Sequence, residues 1–79
     1  MKKVDVYTQP NCPPCQIIKE FLKHNHVAFT EYDVKKDTAA LNRLINNYDS
    51  YSTPTVVVDE EVVAGFQIEK LQQLLGLEE

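Results

Sequence analysis

The hydrophobic positions along the chain follow two spacings, one typical of strands and one typical of helices. Alternating or β-branched runs predict strands, and apolar residues three and four apart predict helices. Taken in order, the pattern predicts strand, helix, strand, helix, strand, strand, helix. The predicted strands are Lys3–Thr8, Val27–Val34, Thr55–Val58 and Glu61–Ala64, and the predicted helices begin near Cys12 or Pro13, after Asp37 and near Ile68.

The start of the first predicted helix contains two consecutive prolines, and its end falls at about Asn25. Pro13 suits the first helical position, because its missing N–H would have no partner there. Pro14 disfavours the helical conformation of Pro13, so we expect the regular helix to begin nearer Cys15.

Single residues mark other expected boundaries. Asp37 can cap the second helix by accepting hydrogen bonds from first-turn N–H groups. Asp59 and Glu60 separate the last two strands at the spacing of a hairpin, although the turn lacks the usual glycine. Gly76 stands where a helix commonly ends.

This order of elements predicts an α/β fold with one mixed sheet. A strand, a helix and a strand give a parallel pair with a right-handed crossover, and the final hairpin adds antiparallel strands. Three helices can then cover both faces of a four-stranded sheet. With 79 residues, the chain is expected to form one domain over positions 1–79.

Composition and charge limit the classes of partner. The chain is 43% hydrophobic and 25% charged, as in globular domains, and its net charge of −4 with scattered basic residues argues against nucleic acid. No stretch could span a membrane, and Asp5 and Thr8 interrupt any signal-like segment behind Lys2 and Lys3. We therefore expect a cytoplasmic monomer, and in that reducing compartment paired cysteines are typical of catalysis or metal binding.

Both cysteines stand two residues apart, between the first predicted strand and the first predicted helix. A C-x-x-C sequence at this junction indicates thiol–disulfide chemistry. Cys12 would lie at the helix N-terminus, where unpaired N–H groups and the helix dipole favour a thiolate. Cys15 would follow one turn later on the same side, close enough to form a disulfide.

Taken with that order of elements, three features of the sequence resemble the glutaredoxin branch of the thioredoxin fold, and the resemblance spans essentially the whole chain. They are the segment from Tyr7 through Cys12-Pro13-Pro14-Cys15, Ser52-Thr53-Pro54-Thr55 before the third strand, and Ala64-Gly65-Phe66 after the fourth. The resemblance implies a thioredoxin-like sheet with strand order 2-1-3-4. It also implies a cis bond before Pro54, facing the cysteines, which presents the Thr53 backbone to an extended partner segment.

The resemblance further implies a protein-disulfide oxidoreductase with a redox-active Cys12–Cys15 disulfide and no bound cofactor or metal. Cys12, as the exposed nucleophile, would attack a partner disulfide, and the more buried Cys15 would release the reduced partner. Phe66 either flanks the partner groove or packs against Pro54, and packing is favoured. Tyr51 could also line the groove. The predicted substrate-binding residues are Gln9, Pro13, Pro14, Thr53, Pro54, Gly65 and Phe66.

The surroundings of Cys12 predict a thiol of moderate acidity. Pro13 and Pro14 have no N–H, so among the next three residues only Cys15 can donate a backbone hydrogen bond to the sulfur. Gln9 and Gln16 are neutral at positions where glutaredoxins often have basic residues.

The external reductant is predicted from the same resemblance. Glutathione-using glutaredoxins have, near the last helix, a glycine pair followed by an acidic or hydroxyl-bearing residue and an aspartate, and glutaredoxins often have a lysine before the cysteines. This chain has Gln9, Gln67 and Ile68 at those places, whereas Gly65-Phe66 is similar to redoxins that serve ribonucleotide reductase. We therefore expect thioredoxin reductase with NADPH as the electron source, with a glutathione-dependent glutaredoxin as the alternative. The expected targets are proteins with disulfides, such as ribonucleotide reductase or another dedicated reductase.

Two further classes are weaker alternatives. A zinc site from the cysteines with His24 and His26 has the wrong spacing, since the histidines are only two residues apart. An iron–sulfur cluster shared between two subunits is disfavoured by the two prolines and by the altered glutathione positions. A non-enzymatic interaction domain is disfavoured because both cysteines are present.

Overall fold

A computed structural model of the chain describes residues 3–50 and 53–76, so the groove role predicted for Tyr51 lies outside the described residues. Within those ranges the elements follow the predicted order. The strands are β1 (Val4–Thr8), β2 (Thr30–Asp33), β3 (Thr55–Val58) and β4 (Glu61–Ala64), and the helices are α1 (Pro13–His24), α2 (Thr38–Tyr48) and α3 (Ile68–Leu75).

The strands form one mixed sheet in the order β2-β1-β3-β4. β1 pairs in parallel with β2 and antiparallel with β3, and β3 pairs antiparallel with β4. The predicted α/β fold and strand order are therefore confirmed. The central position of β1 fixes the loop that leaves its C-terminal end, and this loop contains Cys12.

The two faces of the sheet are covered by different helices. On one face, Ile18 and Leu22 of α1 and Leu71 of α3 are completely buried against valines of β1, β3 and β4. On the other face, Leu44 of α2 packs against Tyr7 of β1. Because β1 contributes to both cores, its C-terminal end is anchored from both sides. No helix in the described ranges has the length and apolar character needed to cross a lipid bilayer.

β2 is shorter than predicted, beginning at Thr30 instead of Val27. The Val27 amide donates to the Leu22 carbonyl at 2.9 Å, so this residue completes the turn that follows α1 and cannot start a strand there. Phe29 packs partly buried against the core, whereas Ala28 is exposed.

The predicted caps and hairpin are confirmed. The Asp37 carboxylate accepts from the Ala40 amide at 3.0 Å at the start of α2. In the hairpin turn Asp59 adopts a left-handed conformation with φ 56°, the role that glycine usually has, and its carboxylate accepts from the Lys3 amide at 2.8 Å. Gly76 ends α3 with φ 70°.

Candidate active site

The two cysteines belong to the first turn of α1. Cys12 is the N-cap residue, with extended backbone, and Cys15 is the third helical residue. Their sulfur atoms form a disulfide, with the Cα atoms 5.2 Å apart. The Cys15 amide also donates to the Cys12 Sγ at 3.3 Å. The cysteines therefore lie on the same side of the helix, as their spacing predicted.

α1 begins at Pro13, before the start expected for its regular part. Pro13 and Pro14 occupy the first and second helical positions, where a missing N–H removes no intrahelical hydrogen bond. The expectation that the regular helix begins nearer Cys15 is therefore wrong. Both prolines are exposed, and their fixed φ angles make this end of the helix stiff.

Cys12 and Cys15 differ less in solvent exposure than the sequence predicted. Cys15 is completely buried, and Cys12 retains 7% of its surface, so the description of Cys12 as an exposed side chain is wrong. The reason is the N-cap position, which directs the sulfur towards the Cys15 amide and places it 4.0 Å from the Thr53 Oγ1. Cys12 opens into a shallow surface depression. That depression is also lined by Asn11, Pro13, Gln16 and Ile17.

The Thr53–Pro54 segment lies beside Cys12. Its peptide bond is cis, as the resemblance implied, and Pro54 is buried. The Gly65 amide donates to the Pro54 carbonyl at 2.8 Å, which joins the segment after β4 to this one. Gly65 has φ 81°, a conformation that favours glycine. Half of the Phe66 surface is exposed, and Phe66 lines a depression formed with the start of α3, separate from the one at Cys12. Its packing against Pro54 stays a prediction.

The residues at the positions where other glutaredoxins bind glutathione have uncharged side chains in this chain. Gln9 is exposed in the loop before Cys12. The Gln67 side-chain amide donates to the Ala64 carbonyl, so it makes no capping bond to the first turn of α3. Ile68 packs partly buried against the core.

A match to a family model shows which protein family this chain belongs to. The family model for glutaredoxin matches residues 4–63. The chain belongs to the glutaredoxin family. The activity of this family is thiol–disulfide oxidoreduction, and in this chain Cys12 and Cys15 form a disulfide.

Known structures and sequences similar to this glutaredoxin include both glutaredoxins and related redoxins. The T8A mutant of the thioredoxin-like protein BC3987 matches with a TM-score of 0.94 and 76% identity, covering 99% of this chain and 100% of that one. The glutaredoxin (grx-1) from Archaeoglobus fulgidus matches with a TM-score of 0.83 and 31% identity, covering 95% and 87%. The glutaredoxin-like protein NrdH of Lactococcus lactis subsp. cremoris is 25% identical over 71 residues, covering 90% and 97%.

A hydrogen-bonded group at the end of β1, which the sequence did not indicate, links this strand of the glutaredoxin to α1 and β2. The Thr8 hydroxyl donates to the Glu31 Oε2 at 2.9 Å, and the Lys19 Nζ pairs with the same oxygen at 2.9 Å. The hydrogen bond from Lys19, followed by that from Thr8, outweighs partial burial and holds the pKa of Glu31 below its usual value. Lys19 is therefore engaged by β2.

A second group, also missed from the sequence, surrounds Tyr7 on the α2 face of the sheet. Tyr7 is completely buried, and its ring stacks on that of Tyr32 with centroids 5.2 Å apart. The Arg43 Nε donates to the Tyr7 hydroxyl at 2.8 Å, and the guanidinium lies 4.7 Å from the Tyr32 ring centroid. Burial raises the pKa of Tyr7, with partial compensation by Arg43. This contact holds α2 against β1.

The two histidines of the disfavoured zinc alternative are exposed. His24 is the last residue of α1, and His26 follows in a left-handed conformation with φ 59°. Across residues 3–50 and 53–76, no group of three His, Cys, Asp or Glu side chains could hold a metal ion.

Proposed function

We propose that this glutaredoxin-family protein is a dithiol carrier that reduces disulfides in other proteins. One observation supports this proposal above the others. Cys12 retains 7% of its surface and lines a surface depression, whereas Cys15, in the same helical turn, is completely buried. This difference in accessibility supports attack by Cys12 first, with Cys15 acting in the second step.

The exchange then has two steps. In the reduced protein, the Cys12 thiolate attacks one sulfur of the partner disulfide; that bond breaks, a mixed disulfide forms, and the other partner sulfur leaves as a thiolate. Cys15 then loses its proton and attacks the Cys12 sulfur. This releases the second partner sulfur as a thiolate and leaves the Cys12–Cys15 disulfide, so two electrons have passed to the partner.

The helix N-terminus stabilises the attacking form of Cys12. The Cys15 amide lies 3.3 Å from its sulfur, and the helix dipole adds a favourable field for negative charge. The neighbouring Thr53, Pro54 and Gly65 segments offer backbone and side-chain contacts for a partner chain. We assign substrate binding to these segments together with Gln9, Phe66 and the exposed prolines.

We infer that thioredoxin reductase, with NADPH, returns electrons to the disulfide. The uncharged Gln9 and Gln67 support this. Glutathione has two carboxylates, which favour cationic donors, and an ammonium group, which favours an anionic acceptor. The Gly65-Phe66 pair, which is similar to that of redoxins serving ribonucleotide reductase, also supports it, and the candidate target is ribonucleotide reductase or another dedicated reductase. The family match to glutaredoxin keeps glutathione as the second candidate reductant.

The test compares two electron sources for one disulfide-bonded protein substrate: thioredoxin reductase with NADPH, and glutathione with glutathione reductase and NADPH. We expect turnover with the first source and at most slow turnover with the second. The Gln9→Lys variant is expected to gain glutathione-dependent turnover, and Cys12→Ser is the inactive control. Turnover with glutathione alone would contradict the proposed reductant, and inactivity with both would contradict the proposed carrier function.

A further inference from the structure

Two large hydrophobic side chains are exposed among the residues that the structure describes, Ile17 at 53% and Phe66 at 50%. Ile17 lies on the outer face of α1 and lines the same depression as Cys12. The exchange steps above make no use of Ile17. This apolar side chain next to the reactive sulfur is therefore available for contact with a bound partner.

The depression at Cys12 continues along α1. A second depression adjoins the first, and the two share Gln16 and Ile17. Three residues of α1 are spaced at successive intervals of four, so they lie along one face of the helix over about 12 Å: Pro13, Ile17 and Phe21. We call these three residues the α1 track. The second depression is lined by Gln16, Ile17, Glu20, Phe21 and His24.

The charge beside the α1 track is negative. Glu20 is exposed at its edge and makes no ion pair with any residue in the described part of the chain. Lys19 pairs with Glu31 instead, and Lys23 also acts on the Glu31 carboxylate through its charge, so both lysines lie on the β2 side of α1. The track thus offers apolar surface with an unpaired carboxylate next to it.

We propose that the α1 track binds the partner segment next to its reactive cysteine and selects an apolar side chain accompanied by a basic one. Cys15 and Pro54 are buried, so a partner sulfur reaches Cys12 through the depression that Ile17 lines. The chain attached to that sulfur then lies over Ile17, with Glu20 within reach of a lysine or arginine. This inference rests on the proposed carrier function and names the class of protein that it serves.

The test uses short synthetic peptides, each with one cysteine linked to thionitrobenzoate as a mixed disulfide. Attack by the Cys12 thiolate of the reduced protein displaces the coloured thionitrobenzoate anion, and Cys15 then releases the peptide thiol. One set places leucine or serine within four residues on either side of the cysteine, and a second set adds lysine or glutamate beside the leucine. Second-order rate constants are measured by absorbance under single-turnover conditions.

We expect the wild-type protein to react about tenfold faster with the best leucine peptide than with its serine counterpart. In Ile17→Ser this ratio should fall below about two, and Glu20→Lys should reverse the preference for lysine over glutamate. Circular dichroism verifies that each variant is folded.

Lys23→Ser is the matched control, because it shortens an exposed side chain on the β2 side of the same helix and should keep the leucine-to-serine ratio. An equal loss in Lys23→Ser, or a wild-type protein without either preference, would overturn the inference about the track. Failure of the wild-type protein to react with any peptide or with a small aromatic disulfide would instead overturn the proposed carrier function.

Discussion

Replacing Pro14 with alanine tests how the start of α1 activates Cys12. An N-cap side chain accepts hydrogen bonds from the N–H of the second or third helical residue. Here the third residue, Cys15, donates to the Cys12 sulfur at 3.3 Å, whereas the second is Pro14, which has no N–H. Pro14→Ala restores a donor at the position directed towards the sulfur.

The expected effect follows from the strength of one added hydrogen bond. Hydrogen bonds to charged groups contribute about 1.5–3 kcal/mol, and sulfur, as a weak acceptor, belongs at the lower end of that range. Because about 1.4 kcal/mol corresponds to a tenfold change in a protonation equilibrium, we expect the thiolate fraction of Cys12 in mildly acidic solution to rise about tenfold. The stabilised reduced form should raise the reduction potential by about 30 mV.

The assay measures the rate of iodoacetamide alkylation as a function of pH, in a Cys15→Ser background that retains the Cys15 backbone amide. Pro13→Ala is the matched control, because the first helical N–H is not directed at the cap side chain, and its effect should stay below about twofold. A Pro14→Ala profile that coincides with that of the parent protein, or an equal change in Pro13→Ala, would contradict a role for the missing Pro14 N–H in the acidity of Cys12.

Three further predictions concern the second cysteine and the two side-chain groups around β1. Cys15→Ser should accumulate a mixed disulfide through Cys12 with a protein substrate, visible as a mass increase on a non-reducing gel, and multiple turnover at the parent rate would contradict it. Arg43→Met should lower the free energy of unfolding by about 2 kcal/mol in urea titrations, because the buried Tyr7 hydroxyl loses its partner, and adding Tyr7→Phe should recover part of that loss. The pKa of Glu31 is lowered in the folded state, so the ionised carboxylate stabilises the fold above the unfolded-state pKa, and this stabilisation is lost as the pH falls through the folded-state pKa. Glu31→Gln should therefore lower the free energy of unfolding by less than about 1 kcal/mol at neutral pH, because solvent screens the ion pair, and should leave it unchanged in strong acid.

The elements of the fold could be predicted because each has a local signal. Hydrophobic spacing and the caps at Asp37 and Gly76 depend on residues close in sequence, and these predictions agree with the structure. β2 was predicted too long because Val27 forms a hydrogen bond with Leu22 at the end of α1, and hydrophobic alternation does not report that competition.

The sequence was sufficient to predict the two sulfur atoms of the candidate site, but it was less informative about the residues that surround them. The spacing of Cys12 and Cys15 indicated the disulfide, but the low exposure of Cys12 depends partly on Thr53, which is distant in sequence. Ile17 and Ile18 are chemically identical neighbours, yet one is 53% exposed and the other is completely buried. Which of the two faces the core depends on how α1 rotates against the sheet, and the sequence pattern did not determine this.

The disulfide joins the cap and the third residue of one helix, so the ring that it closes contains only four residues. In the chain-entropy model such a small ring stabilises the folded state by only about 2 kcal/mol, compared with about 3 kcal/mol for a fifteen-residue loop. Most of the stability comes instead from the two cores that sandwich β1, and these do not depend on the bond. The folded protein can therefore persist in the oxidised or the reduced state between reactions with its partners. The balance of electron donors and electron acceptors in its surroundings determines which of the two states is populated.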